Sequence, residues 1–147
     1  MMKLHIEPVT EQNRQRVKKL RTKSSQSGFV ESVQDCLQEA EKYKNWHPVT
    51  IYDENNLIGF AMYGYWGQYP PSGRVWLDRF LIDAKEQNYG YGTAILPMML
   101  NRFLMEYHCD KIYLSVVEGN KFAAHLYQNA GFVFNGENVM VYQFKEG

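Results

Sequence analysis

The stretch Gln87-Asn88-Tyr89-Gly90-Tyr91-Gly92-Thr93 constrains this chain more than any other. It follows an apolar run, Arg74–Ile82, that reads as a strand, and a polar stretch, Asp83–Asn88. It precedes Ile95, Leu96, Met99, Leu100, Phe103 and Leu104, which recur at helical spacing up to about Tyr107. Strand, glycine turn and helix therefore follow one another. The first turn of a helix leaves backbone N–H groups unpaired and carries the positive end of the helix dipole. Two glycines remove the Cβ atoms that would hold an anion away from those amides. The amides of Tyr89–Thr93 are then suited to hold a pyrophosphate without lysines. The pattern is not the dinucleotide fingerprint, because the third glycine and a later acidic ribose partner are missing. It is not a Walker loop either, because no Gly-Lys-Ser/Thr follows.

The remaining elements follow from periodicity. Leu4–Val9 alternates and reads as a strand. Thr10 is placed to cap a helix that starts at Glu11 and carries Val17 and Leu20. A second helix is predicted from about Ser32 to Tyr43, with Val33, Cys36, Leu37 and Ala40 on one face. Val49–Tyr52 and Leu57–Tyr65 form a hairpin around Asp53-Glu54-Asn55-Asn56. Pro97 falls inside the long helix and should bend it or open one bond. Lys111–Val117 is a strand, and Lys121–Asn129 is a helix with Gly131 at its C-terminal cap. Phe132–Phe134 and Val139–Phe144 complete the sheet around Asn135-Gly136. Strands and helices mix without strict alternation. The expected class is α/β (α+β), a central mixed, twisted sheet of six to seven strands with helices on both faces.

Composition bounds the rest. The 147 residues contain no repeat or linker, so residues 1–147 are expected to form a single domain. Sixteen basic residues balance sixteen acidic ones, so no overall field attracts nucleic acid or an anionic membrane. No run of apolar residues is long enough to span a bilayer. The polar start Met1–Glu7 lacks the apolar core of a signal peptide and points to the cytoplasm. Cys36 and Cys109 lie far apart, without zinc-ligand spacing; they read as reduced thiols, and no metal is expected. His47, His108 and His125 show no convincing partners and read as surface or structural.

Gln87-x-x-Gly90-x-Gly92 resembles the acetyl-CoA signature of the GNAT superfamily of N-acetyltransferases. Trp76-Leu77-Asp78-Arg79-Phe80-Leu81-Ile82 is similar to the central strand of that family. Leu114-Ser115-Val116, Asn120 and the block Ala123–Phe132 are similar to its second conserved region. The order and spacing hold across about Arg74 to Phe134. Gly59–Gly64, Gly73–Phe80 and Phe29–Ser32 further resemble bacterial spermine/spermidine acetyltransferases of the Blt type. The resemblance implies the GNAT acyl-CoA N-acyltransferase fold and acetyl-CoA as co-substrate. It also implies acetyl transfer to a primary amine of a polyamine by direct attack in a ternary complex.

The resemblance assigns roles to individual residues. Cofactor contacts fall to the backbone of Phe80, Leu81 and Ile82, to Gln87, Asn88, Tyr89, Gly90, Tyr91, Gly92 and Thr93, and to Asn120 and Tyr127. Tyr127 would protonate the leaving thiolate. Asp78 would accept the proton of the amine. By strand alternation it shares a face with Trp76 and Phe80. Glu31 would be a distal carboxylate for a polyamine, and Tyr63, Trp66 and Tyr69 would supply cation–π walls. Plainer readings stay open beside these: an ion pair of Asp78 with Arg74 or Arg79, a first-turn glutamate at Glu31, packing for the aromatics, and simple helix capping by Asn120. Other acceptors (an aminoglycoside, an amino acid, a protein N-terminus) and a non-catalytic acyl-CoA-binding module are alternatives. A homodimer through Leu57–Tyr65 and Val139–Phe144 is a further expectation.

Overall fold

A computed structural model describes residues 1–21, 32–67, 73–136 and 138–145. In chain order these residues form β1 (Leu4–Pro8), α1 (Arg14–Val17), α2 (Val33–Lys42), β2 (Trp46–Asp53) and β3 (Asn56–Trp66). They continue through β4 (Arg74–Ile82), a 3-10 turn at Ala84–Glu86, α3 (Tyr91–Tyr107) and β5 (Lys111–Ser115). They end with α4 (Lys121–Asn129), β6 (Val133–Phe134) and β7 (Val139–Gln143). The strands form one mixed sheet in the order β1-β2-β3-β4-β5-β7-β6. Its β4–β5 neighbours are parallel, and β1–β2, β2–β3, β5–β7 and β6–β7 are antiparallel.

By internal contacts the chain divides into two compact units, Met1–Gly64 with Asp78–Tyr91, and Tyr65–Leu77 with Gly92–Gly147. In the first unit, α1 and α2 bury Val17, Val33, Cys36 and Leu37 against Phe60 and Met62 of β3 and Leu81 of β4. Ser32 caps α2, its hydroxyl accepting from the Asp35 N–H at 3.1 Å. The first helix is shorter than predicted and is not capped by Thr10. Asn13, only 8% exposed, sits at the N-cap position but directs its side chain back toward β1 rather than into the helix. Its Oδ1 accepts from the Thr10 N–H at 2.8 Å, and its Nδ2 donates to the Pro8 carbonyl at 3.0 Å. This stitch joins the end of β1 to α1.

The strand predicted at Val49–Tyr52 starts earlier, at Trp46, and runs through Pro48. A proline is tolerated there because its main chain faces the end of β1. Its carbonyl accepts from the Val9 N–H at 3.1 Å, and the pairing with β1 begins only at Val49↔Pro8. The missing N–H is thus not taken from the ladder to β3.

In the second unit, α3 buries Ile95, Leu96, Met99, Leu100 and Phe103. Pro97 lies inside this helix and is exposed. The helix runs on through it to Tyr107. β5 is two residues shorter than predicted, although the Val116 N–H still donates to the Asn138 carbonyl at 2.8 Å. Among the described residues no helix is long and apolar enough to cross a membrane.

Candidate active site

The glycine loop starts from a well-anchored base in the first unit. Leu81 and Ile82 end β4 as buried residues. Asp83, also buried, donates its N–H to the Ile58 carbonyl at 2.8 Å and accepts from the Arg21 N–H at 2.9 Å. Gln87 reaches back, its Nε2 donating to the Ile82 carbonyl at 3.0 Å. Asn88 and Gly90 then adopt left-handed backbone, with φ of 72° and 81°. Asparagine tolerates that region better than most residues, and glycine adopts it freely. At Gly90 the conformation alone requires glycine, since an added Cβ would meet nothing nearer than Met2 Cε at 4.0 Å. Two such residues in three turn the chain so that it enters α3 at Tyr91, where the helix amides begin. The Tyr91 hydroxyl donates to Asp53 Oδ2 at 2.7 Å, a partner the sequence reading did not foresee.

The second unit brings the last glycine of the loop to the helix that carries Tyr127. A Cβ on Gly92 would lie 3.2 and 3.3 Å from the methyl carbons of Leu126, so glycine lets α3 start close against α4. Asn120 caps α4, its side chain accepting from the Ala123 N–H at 3.2 Å. The far end closes in a Schellman motif. The Phe132 N–H donates to the Tyr127 carbonyl at 3.0 Å, and the Gly131 N–H donates to the Gln128 carbonyl at 3.0 Å. Gly131 has φ of 108°, as the motif demands. The apolar contact that accompanies this cap is the ring of Tyr127 itself, set edge-on to Phe132 with centroids 5.8 Å apart. Phe132 in turn meets Tyr142 at 5.5 Å. The cap thus holds both the backbone and the ring of Tyr127, which is half-buried.

On β4 burial alternates from Arg74 to Asp78 and then breaks, with Arg79 and Phe80 both half-buried and Leu81 and Ile82 both buried. Val75, Leu77 and Leu81 are buried, Trp76 and Phe80 are half-buried, and Asp78 is exposed. The parallel pairs with β5 are Val75↔Ile112 and Trp76↔Tyr113. On the other side, a Cβ on Gly59 would sit 2.5 Å from the Leu81 carbonyl, so β3 approaches closely there. Of the aromatics expected to recognise a cation, Trp66 is half-buried at the end of β3. Tyr63 is 2% exposed, with its ring 5.7 Å from His47. His47 thereby gains a partner the sequence did not reveal. Glu31 and Tyr69 lie outside the described residues.

Neither cysteine is an activated nucleophile. Cys36 is fully buried in the core of the first unit. Cys109 Sγ faces the Phe103 carbonyl at 3.8 Å, and burial pushes its thiol above the ordinary range. Among the described residues no three His, Cys, Asp or Glu side chains converge to hold a metal ion.

The profile of the acetyltransferase (GNAT) family matches residues 14–132, which include the glycine loop and all of α4. The chain belongs to the GNAT family. It is 41% identical over 139 residues to a spermine/spermidine N(1)-acetyltransferase of Bacillus subtilis strain 168, covering 92% of this chain and 91% of that protein. A probable spermine N(1)-acetyltransferase of Bacillus subtilis subsp. natto is likewise 41% identical over 139 residues, with the same coverage. Among solved structures, spermidine N-acetyltransferase from Vibrio cholerae, in complex with CoA and spermine, matches with a TM-score of 0.75. It is 18% identical and 95% of each chain is covered, a likeness of fold. The mixed seven-stranded sheet is therefore that of a GNAT acetyltransferase.

Proposed function

We propose that this GNAT enzyme moves an acetyl group from acetyl-CoA to a primary amine of spermidine or spermine, by direct attack in a ternary complex. The observation that carries the polyamine is the 41% identity, along nearly the whole chain, to the Bacillus subtilis spermine/spermidine enzyme. Bound acetyl-CoA supplies the activated acetyl group. Its pyrophosphate suits the amides of Tyr89–Thr93, because Asn88 and Gly90 give the loop its left-handed turns and Gly92 keeps α4 close. The backbone of Phe80, Leu81 and Ile82 offers a strand edge to the pantetheine arm, and Asn120 and Tyr127 complete the cofactor contacts.

Two protons must move. The amine has an ordinary pKa of about 10.4, so its deprotonation at neutral pH costs roughly 4–5 kcal/mol. Asp78, exposed on β4, accepts that proton directly or through water. The Tyr127 hydroxyl protonates the departing thiolate; the pKa values of a thiol and a phenol, about 8.5 and about 10, lie close enough for such transfer. Glu31, Trp66 and Tyr69 recognise the distal part of the acceptor. The protein works as a single cytoplasmic domain, 1–147, and as a homodimer.

A panel of amines with acetyl-CoA, read by thiol release, tests this. Spermine or spermidine turnover supports the reading. Turnover confined to aminoglycosides, amino acids or peptides would overturn the acceptor, and CoA binding without thiol release would overturn catalysis. In the same assay Tyr127→Phe should lower kcat about a hundredfold with little change in the KM for acetyl-CoA. Unchanged turnover would remove its acid role.

A further inference from the structure

Backbone amides bind an anion well only when several converge, so the shape of the loop before α3 decides how tightly a pyrophosphate is held. The base of that loop is tied down by Gln87 on the Ile82 carbonyl. Its other end is tied down from a distant part of the first unit. Tyr91, the residue between the two glycines, donates its hydroxyl to Asp53 Oδ2 at 2.7 Å. Asp53 ends β2, and its Oδ1 accepts from the Lys3 N–H at 2.8 Å. The Glu54 N–H donates to the Lys3 carbonyl at 2.9 Å, which fixes the turn to the chain entering β1. The turn is braced a second time, where Asn56 Nδ2 reaches Glu86 Oε1 at 3.4 Å. Tyr91 is also flanked by Tyr89, their ring centroids 6.3 Å apart.

One carboxylate thus joins three pieces of chain: the entry to β1, the β2–β3 turn and the first residue of α3. Both its oxygens accept from donors, so its charge is directed toward them rather than left open beside an anion-binding loop. We infer that Asp53 and Tyr91 are a positioning pair that holds the acetyl-CoA loop in its binding shape, Asp53 acting through the Tyr91 hydroxyl and touching no substrate. The inference rests on the reading that Gln87–Thr93 holds acetyl-CoA. It adds a side-chain role to Tyr91, whose backbone amide is the part the signature uses. It also assigns a role in cofactor affinity to a residue in a hairpin turn far from the motif.

The test measures the Kd of CoA by calorimetry, together with kcat and the KM for acetyl-CoA, in Tyr91→Phe, Asp53→Ala, their double variant, Asp53→Asn and Gly90→Ala. Tyr91→Phe and Asp53→Ala should each weaken CoA about three- to tenfold, the scale of one ordinary hydrogen bond. The double variant should be no worse than the poorer single one, because the two side chains act as one unit. Asp53→Asn keeps an acceptor and should lose less than Asp53→Ala. kcat should move less than KM. Unchanged Kd and KM in Tyr91→Phe, with only a lower Tm, would reduce the bond to a structural one and overturn the inference. Additive losses in the double variant would also overturn it. Gly90→Ala separates the two levels. It strains the loop backbone without a clash, so it should weaken CoA whether or not the pair matters. Weakening by Gly90→Ala alone sinks the pair and leaves the loop reading standing. No weakening by any variant sinks the loop reading and the pair together.

Discussion

The two ionisations in the Asp53–Tyr91 pair are pushed apart. The Lys3 N–H and then the Tyr91 hydroxyl hold the Asp53 carboxyl below its ordinary 3.8, and the N-terminal charge adds to this. The hydrogen bond to Asp53, then desolvation, push the Tyr91 phenol from its ordinary 10.0 up to about 12, with smaller help from Glu86 and Tyr89. The signs follow from linkage. A depressed carboxylate contributes stability above its unfolded value, and this is lost as pH falls through the folded one. A raised phenol contributes stability that is full below 10.0 and lost as pH rises through about 12. The bond is therefore intact across neutral pH. The Tm gap between the wild type and Tyr91→Phe should stay constant from about pH 5 to about pH 9 and close as pH drops below 3.8. Thermal melts at stepped pH check this; a gap that shrinks between about pH 6 and about pH 8 would contradict the assignment. The sequence showed Tyr91 as a loop amide and Asp53 as turn chemistry. Their meeting spans 38 positions, and no local pattern encodes such a pair.

At the scale of elements, β4 and α4 have the bounds read from the sequence, Arg74–Ile82 and Lys121–Asn129. Both ends of α4 are marked by residues with one local job, Asn120 as N-cap and Gly131 as the left-handed residue after it. The start of β2 was not legible. Pro48 reads as a strand breaker until the end of β1 is known, and that is a tertiary fact. Asn13 was missed for a similar reason, because its amide works backwards onto Thr10 and Pro8 rather than forwards into the helix. The Schellman motif after α4 supplies the prediction at this scale. Gly131→Ala forces a Cβ into a conformation with φ of 108° and within 3.0 Å of the Tyr142 ring. The backbone term alone is about 1–2 kcal/mol. Gly119→Ala, at φ of 88° with open space around it, isolates that term. Denaturant unfolding should show Gly131→Ala as the more destabilised of the two. Because the carbonyl and ring of Tyr127 are both partners of Phe132 in the motif, kcat should also fall in Gly131→Ala and not in Gly119→Ala. Equal losses in both variants would mean that the Tyr142 ring yields freely and the cap does not steer Tyr127.

For the molecule as a whole, sixteen positive and sixteen negative residues cancel. In the proposed function an anionic co-substrate depends on oriented amides and a cationic acceptor on carboxylates such as Asp78, with no overall field to steer either. That division is an expectation of the sequence, drawn from a glycine loop without lysines. Direct attack was expected from the family resemblance, and the placement of the cysteines bears on it. A relay needs a nucleophile that is both reachable and activated. Both cysteines of the chain fail this: Cys36 is 0% exposed, and Cys109 is pushed by burial away from the thiolate. This leaves no cysteine relay and favours the proposed direct attack in a ternary complex. Initial velocities measured across a grid of acetyl-CoA and spermine concentrations should give intersecting double-reciprocal lines, and Cys109→Ser should keep wild-type turnover. Parallel lines, together with radiolabelled acetyl retained on the denatured protein, would mean a covalent intermediate. The base at Asp78 and the acid at Tyr127 would then be serving a different nucleophile from the one argued for them.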